Sequence, residues 1–125
     1  KTAYEIVDCD WSSDVCSSDL QTVANVTGFG SRLRVQAARA EALGHAGGPR
    51  YNLVTARAVA PLADLLKLAL PILAPGGRLI AWKRSSREWD DELALAQSKH
   101  PFATFDVRVV SAQHGPASLL VFCTR

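Results

Sequence analysis

The sequence predicts an α/β domain with a mainly parallel sheet that ends in an antiparallel hairpin. Strand-like and helix-like segments alternate over residues 33–98, which is typical of βαβ units. Two further strand-like segments, residues 105–110 and 118–123, are separated by only seven residues. Because a parallel crossover needs about a dozen residues, we expect the last strand to run antiparallel to its neighbours. No apolar run approaches the ~18 residues of a membrane helix.

Each predicted strand rests on a local pattern. Residues 33–37 alternate apolar and polar side chains, as a half-buried strand does. Residues 51–56 form a second strand that ends at Arg57, and residues 78–82 form a short apolar strand after a glycine turn. These two strands follow one another in a βαβ arrangement, so we expect them to be parallel.

The predicted helices differ in length and character. Residues 38–43 are alanine-rich and suffice for one or two helical turns. Pro61 suits the first turn of a helix whose leucines recur at helical spacing, with Asp64 and Lys67 on the other face. The motif Pro75-Gly76-Gly77 is expected to end that segment. Residues 87–98 predict a charged helix whose apolar positions are Trp89, Leu93 and Leu95.

Residues 1–20 do not fit this pattern. Cys9 and Cys16 lack the further pairs of a disulfide framework, and DWSSDVCSSDL at residues 10–20 lacks the glycine and closing glutamate of a calcium loop. A flexible linker would not explain the repeated Ser-Ser-Asp. Read as codons, residues 1–20 match the translation of a common sequencing adapter, interrupted by a barcode-sized insert. We therefore predict that residues 1–20 are non-biological and exclude them from fold reasoning.

Residues 21–125 have a different composition from the whole chain. Residues 1–20 contain one of the 14 basic and five of the 12 acidic residues, so without them 13 bases face seven acids and the formal charge rises from +2 to +6. This moderate excess permits a nucleic-acid partner. Cys123 is then the one remaining cysteine and cannot form an internal disulfide, which fits a reducing cytosol.

Two stretches resemble a known family. They are NLVTARAVAPL at residues 52–62 and LPILAPGGRLI at residues 70–80, preceded by ARAE at residues 38–41. The chain is similar there to the RsmG/GidB family of S-adenosylmethionine-dependent methyltransferases, which act on guanine N7 of small-subunit (16S) rRNA. The resemblance implies a Rossmann-like class I methyltransferase fold. It also implies that residues 21–125 are the C-terminal part of such a domain, without its N-terminal glycine-rich cofactor loop.

The resemblance implies roles for three residues and matches a fourth. Ala40 and Glu41 would line the adenine of S-adenosyl-L-methionine, and Arg57 would also contact this cofactor. Lys83 matches a lysine that ends the following strand in the family, but the family usually has Lys-Gly where this chain has Lys83-Arg84. As cations at the carboxyl end of a strand, Lys83 and Arg84 are the weaker candidates for contact with the RNA. The implied partner is small-subunit rRNA or the ribosomal subunit in the cytoplasm, with no membrane and no metal.

The residues themselves leave alternatives open. Arg57 and Lys83 stand at the carboxyl ends of strands, where α/β sheets bind ligands, but such cations are also ordinary solvated strand ends. No catalytic residue is needed, because the lone pair of guanine N7 accepts a methyl group without a general base. A non-enzymatic α/β binding module and a Rossmann-type enzyme with a nicotinamide cofactor are the alternative interpretations.

Other polar groups are predicted to be surface groups. His45, His100 and His114 lie in polar loops. The run from Asp90 to Glu92 is expected to form a solvated helix face, and no Cys/His set matches a zinc site.

Three expectations concern the chain as it stands. A strand at residues 33–37 without its native neighbour would leave backbone groups unpaired, and residues 3–8 have enough β-branched and aromatic character to pair with it. Residues 10–20 should form a loop or an improvised helix. The chain is also expected to be inactive in methyl transfer, since it lacks the glycine-rich loop.

Overall fold

The computed structural model describes residues 3–5, 14–36, 38–57, 59–110 and 117–124, with side chains from residue 19 onward. The chain forms two compact units, Lys1–Ala42 and Leu43–Arg125. Several predicted features lie wholly or partly outside the described residues. They are the disulfide alternative for Cys9, residues 6–8 of the strand predicted at 3–8, residues 10–13 of the loop or helix predicted at 10–20, the end of the strand at Ala37, and the connection at residues 111–116 with His114.

The described part of the first unit contains a short parallel strand pair and one α-helix. Strand β1 (Ala3–Glu5) pairs with strand β2 (Leu33–Val35), and helix α1 (Asp14–Val26) lies between them in sequence. This pairing confirms that the segment at residues 3–5 supplies a neighbour for β2. Helix α1 continues across residue 20, the predicted end of the adapter-derived segment. The interpretation of residues 1–20 as a translated adapter stays a prediction. Residues 38–43, predicted as a short helix, contain a 3-10 turn at Ala40–Leu43.

In its described residues, the second unit contains a four-stranded sheet and two α-helices. Its elements, in chain order, are β3 (Tyr51–Arg57), α2 (Leu62–Ala69), β4 (Leu73–Arg84), α3 (Trp89–Lys99), β5 (Thr104–Val110) and β6 (Ser118–Thr124). The strand order is β3-β4-β6-β5. β3 and β4 are parallel, whereas β6 is antiparallel to both β4 and β5. The predicted antiparallel last strand is therefore confirmed.

Helices α2 and α3 pack on one face of this sheet. The leucines of α2 at helical spacing are buried against Leu79 and Ala81 of β4 and against β6. This burial confirms the predicted apolar stripe of α2. In α3 the prediction was wrong at one position, because Leu95 is 50% exposed while Ala96 is fully buried. Ala96 belongs to the same buried cluster as the leucines of α2.

The Pro-Gly-Gly motif interrupts a strand, which differs from the prediction that it ends a helical segment. Helix α2 ends at Ala69, a 3-10 turn covers Leu70–Ile72, and β4 begins at Leu73. The pairing partner of Tyr51 is Leu73, but the partner of Leu53 is Arg78. Two steps along β3 thus face five along β4, so Pro75, Gly76 and Gly77 form a bulge. Proline suits a bulge because it has no N–H for the ladder.

No helix among the described residues is long and apolar enough to span a membrane.

Cys123 lies in the core on β6, and its burial raises the pKa of the thiol from 9.0 to about 12. We expect Cys123 to stay unmodified by Ellman's reagent at pH 8 in the folded chain and to react after denaturation. Between about pH 9 and pH 12 the unfolded thiol ionises while the folded one stays protonated, so stability should fall in this window. Peptide mapping separates Cys123 from Cys9 and Cys16. Equal labelling of Cys123 before and after denaturation would contradict the prediction.

Candidate functional site

Two cations lie on one face of the sheet at the carboxyl ends of its parallel strands. Arg57 is the last residue of β3, is exposed, and pairs in register with Trp82 of β4. Arg84 ends β4 two residues beyond Trp82 and is also exposed. Because side chains alternate along a strand, Arg57, Trp82 and Arg84 share the face opposite α2 and α3. This edge is where open α/β sheets bind their ligands.

Lys83 lies on the other face. It has the same strand parity as Leu79 and Ala81, which are buried under the helices. The Lys83 side chain is only 16% exposed. Its Nζ donates a hydrogen bond to the carbonyl oxygen of Ala60 at 2.6 Å and forms an ion pair with Glu92 Oε1 at 2.7 Å. The structure therefore separates two neighbouring residues that the sequence had grouped together.

Glu92 holds this region together. Its Oε1 accepts hydrogen bonds from Lys83 and from the backbone N–H of Leu62, the latter at 2.7 Å. Leu62 is the first residue of α2, and the N-cap residue Pro61 makes no side-chain cap. The carboxylate thus satisfies a helix N–H that has no intrahelical partner and meets the positive end of the helix dipole. One carboxylate joins the end of β4 to the starts of α2 and α3.

The expectation of a solvated acidic face on α3 is correct for Asp90 and Asp91, which are exposed, and wrong for Glu92. Glu92 is half-buried, with 27% of its side chain exposed. Its partners Lys83 and Leu62 lie nine and thirty positions away along the chain. No local sequence pattern distinguishes Glu92 from the neighbouring acids. The available signal was that Pro61 cannot cap the start of α2 with its side chain, so that a distant acceptor was needed there.

Ala40 and Glu41 begin the 3-10 turn Ala40–Leu43. Ala40 is half-buried and Glu41 is exposed. The first backbone N–H groups of such a turn have no hydrogen-bond partner within the turn. This geometry suits the backbone-mediated contact that the family resemblance implies, and their role stays a prediction.

The histidines occupy different environments. His45 is exposed. His100 is half-buried, and its Nε2 donates to the carbonyl oxygen of Ala63 at 2.9 Å, since a carbonyl can only accept. Within the described ranges, no group of His, Cys, Asp and Glu side chains could hold a metal ion.

Sequence comparison finds similarity to curated proteins named ribosomal RNA small subunit methyltransferase G. The chain is 48% identical over 67 residues to the protein from Chloroflexus aggregans, which covers 52% of the chain and 27% of the relative. It is 38% identical over 77 residues to that of Thermobifida fusca, covering 60% of the chain and 32% of the relative. The chain thus spans about a quarter to a third of these relatives. No protein-family model matches it.

Structure comparison shows the fold. The O-methyltransferase from Bacillus cereus in complex with SAH superposes with a TM-score of 0.70 at 8% identity, covering 99% of this chain and 63% of that one. An rRNA methylase from Streptococcus thermophilus gives a TM-score of 0.69 at 16% identity, covering 98% and 72%. The chain therefore has the class I methyltransferase fold, and the resemblance to RsmG seen in its motifs is confirmed over about half its length.

Proposed function

We propose that the protein containing this chain transfers a methyl group from S-adenosyl-L-methionine to guanine N7 of small-subunit rRNA. The observation that carries the proposal is the 48% identity over 67 residues to a methyltransferase of that RNA. The class I methyltransferase fold and the formal charge of +6 over residues 21–125 agree with it. The reaction would take place in the cytoplasm, where ribosomal subunits are found. No observation on the described residues favours a nicotinamide enzyme or a non-enzymatic module.

Arg57 fits a role in binding this cofactor. S-adenosylmethionine carries a carboxylate, and Arg57 presents an exposed guanidinium at the ligand-binding edge. Across the residues that the structure describes, Arg57 takes part in no ion pair, so its donors are available. Ala40 and Glu41 are the proposed contacts for the adenine.

Methyl transfer to guanine N7 needs no acid or base from the side chains. When bound, the cofactor supplies an electrophilic sulfonium methyl group. Guanine N7 has a lone pair at neutral pH, so the protein's residues need only orient the base and exclude water. Trp82, which is 41% exposed beside Arg57 in the sheet, offers an apolar surface at this edge. Arg84 remains the proposed RNA contact on this face. Lys83 stays the weaker proposed RNA contact. We propose that it also stabilises this edge of the sheet through its bonds to Ala60 and Glu92.

The function is tested by mapping methylated nucleotides. Deleting the gene that contains this sequence should remove one methylguanine from the small-subunit rRNA, seen by mass spectrometry of nuclease fragments. Returning the intact gene should restore it. An unchanged methylation pattern would refute the proposal.

Arg57→Ala should weaken cofactor binding by about 1–3 kcal/mol, because a charge-assisted hydrogen bond is lost. Isothermal titration calorimetry of S-adenosylmethionine with the full-length protein measures it. Arg78→Ala is the matched control, since Arg78 is exposed on the same face but lies nearer the start of β4. Equal affinities for all three proteins would show that Arg57 is an ordinary solvated strand end.

A further inference from the structure

A cavity of about 570 Å³ lies in the second unit among the loop before β3, the end of α2 and the end of α3. We call it the Phe102 groove. Of its nine described lining residues, Arg50 and Lys99 carry a positive charge, a third is His100, and none is acidic. Leu70 and Pro71 supply part of an apolar wall. The groove thus combines positive charge with apolar surface.

The groove is separate from the candidate cofactor edge. Arg50 directly precedes β3, whereas Arg57 ends it. A strand of seven residues spans about 20 Å between its ends. The groove therefore lies at the amino ends of the parallel strands, and the candidate cofactor edge lies at their carboxyl ends. A ligand here would not compete with the methyl donor.

Two of the three basic residues of the groove make hydrogen bonds that orient them. Nη1 of Arg50 donates to the carbonyl oxygens of Gly48 at 3.2 Å and Pro49 at 3.1 Å, which leaves Nε and Nη2 to face a ligand. Lys99 is the last residue of α3 and is exposed. His100 is fixed by its hydrogen bond to Ala63. An anion entering the groove would meet the oriented side chain of Arg50 and the exposed ammonium group of Lys99.

Phe102 supplies an exposed aromatic ring to the groove. Its side chain is 90% exposed, in a turn closed by a hydrogen bond from the N–H of Ala103 to the carbonyl of His100. A ring this accessible on a short turn can stack on a flat partner. Aromatic rings flanked by cations are how proteins bind single-stranded nucleic acid, with bases on the rings and phosphates on the cations.

We propose that the Phe102 groove binds a single-stranded segment of RNA, with one base stacked on Phe102 and the adjacent phosphates on Arg50 and Lys99. The inference rests on the proposed function, for which the RNA would be the rRNA substrate. It adds a second contact on the edge of the sheet remote from methyl transfer. Such a contact would help select a folded RNA target without touching the guanine that reacts.

The test is fluorescence anisotropy of a labelled 12-nucleotide oligouridine titrated with the 125-residue chain. We expect Phe102→Ala to weaken binding by about 10-fold or more, as loss of one base stack does. Arg50→Gln and Lys99→Gln should each reduce the slope of log K against log salt by about 0.7. Leu95→Ala and Lys67→Gln remove an exposed apolar and an exposed cationic side chain outside the groove, and should leave binding unchanged.

Phe102→Leu separates RNA stacking from docking of a protein. Leucine keeps apolar surface but cannot stack, so we expect it to be as weak as alanine. Wild-type affinity of Phe102→Leu, an unchanged Phe102→Ala, or no oligouridine binding by the chain would each overturn the proposal. S-adenosylmethionine calorimetry on the same variants in the full-length protein distinguishes the two proposals: cofactor binding should be intact when RNA binding is reduced.

Discussion

Replacing Glu92 by alanine should lower the free energy of unfolding by about 2–3 kcal/mol. The substitution removes the acceptor for the Leu62 N–H and the ion-pair partner of Lys83, whose side chain is only 16% exposed. Both groups then remain in a partly buried place without their charged partner. The start of α2 also loses the negative charge at its positive dipole end. Urea unfolding followed by circular dichroism measures the change.

Glu92→Gln divides the effect into its parts. A glutamine oxygen can still accept from Leu62, so only the charge is lost and we expect about 1 kcal/mol. Asp106→Ala is the matched control, because Asp106 pairs with Arg108 at 3.2 Å but both side chains are mostly exposed. Surface pairs of this kind contribute about 0–1 kcal/mol. If Glu92→Ala lowered the free energy of unfolding by no more than Asp106→Ala does, the proposed structural role of Glu92 would be wrong.

Gly77→Ala should destabilise the second unit by about 3 kcal/mol, because overpacking against backbone atoms cannot be relieved by a side-chain movement. A Cβ at this position would lie 2.8 Å from the carbonyl oxygen of Ala74 and 2.9 Å from that of Tyr51. Tyr51 is on β3, so the clash would push β3 and β4 apart at the bulge. Thermal unfolding by calorimetry provides the measurement.

Gly76→Ala is the comparison for this experiment. Gly76 has a φ of 75°, but a Cβ there would meet nothing within 4 Å. Its substitution therefore adds only the left-handed backbone penalty of about 1 kcal/mol. A larger loss for Gly76→Ala than for Gly77→Ala would mean that backbone conformation, and not the close approach of the two strands, explains the glycine pair.

The order of elements in the second unit was predictable from local patterns. The leucine spacing of α2 follows from helical periodicity, and the antiparallel last strand follows from a connection too short for a crossover. Arg57 was also correctly placed at a strand's carboxyl end. The strand pairing in the first unit was also predictable, because the unpaired edge of β2 needs a partner and residues 3–5 supply it.

The fold class, the family resemblance and the position of Arg57 could be read from local patterns, since each depends on neighbours along the chain. The structure was needed to show that Lys83 contacts Ala60 and Glu92 while Arg84 is exposed, and that Glu92 joins both helices to β4. It also decided that the Pro-Gly-Gly motif lies inside a strand, and that Arg50 and Phe102 meet in one groove. These contacts join residues far apart in the chain, and packing the helices on the sheet sets their distances.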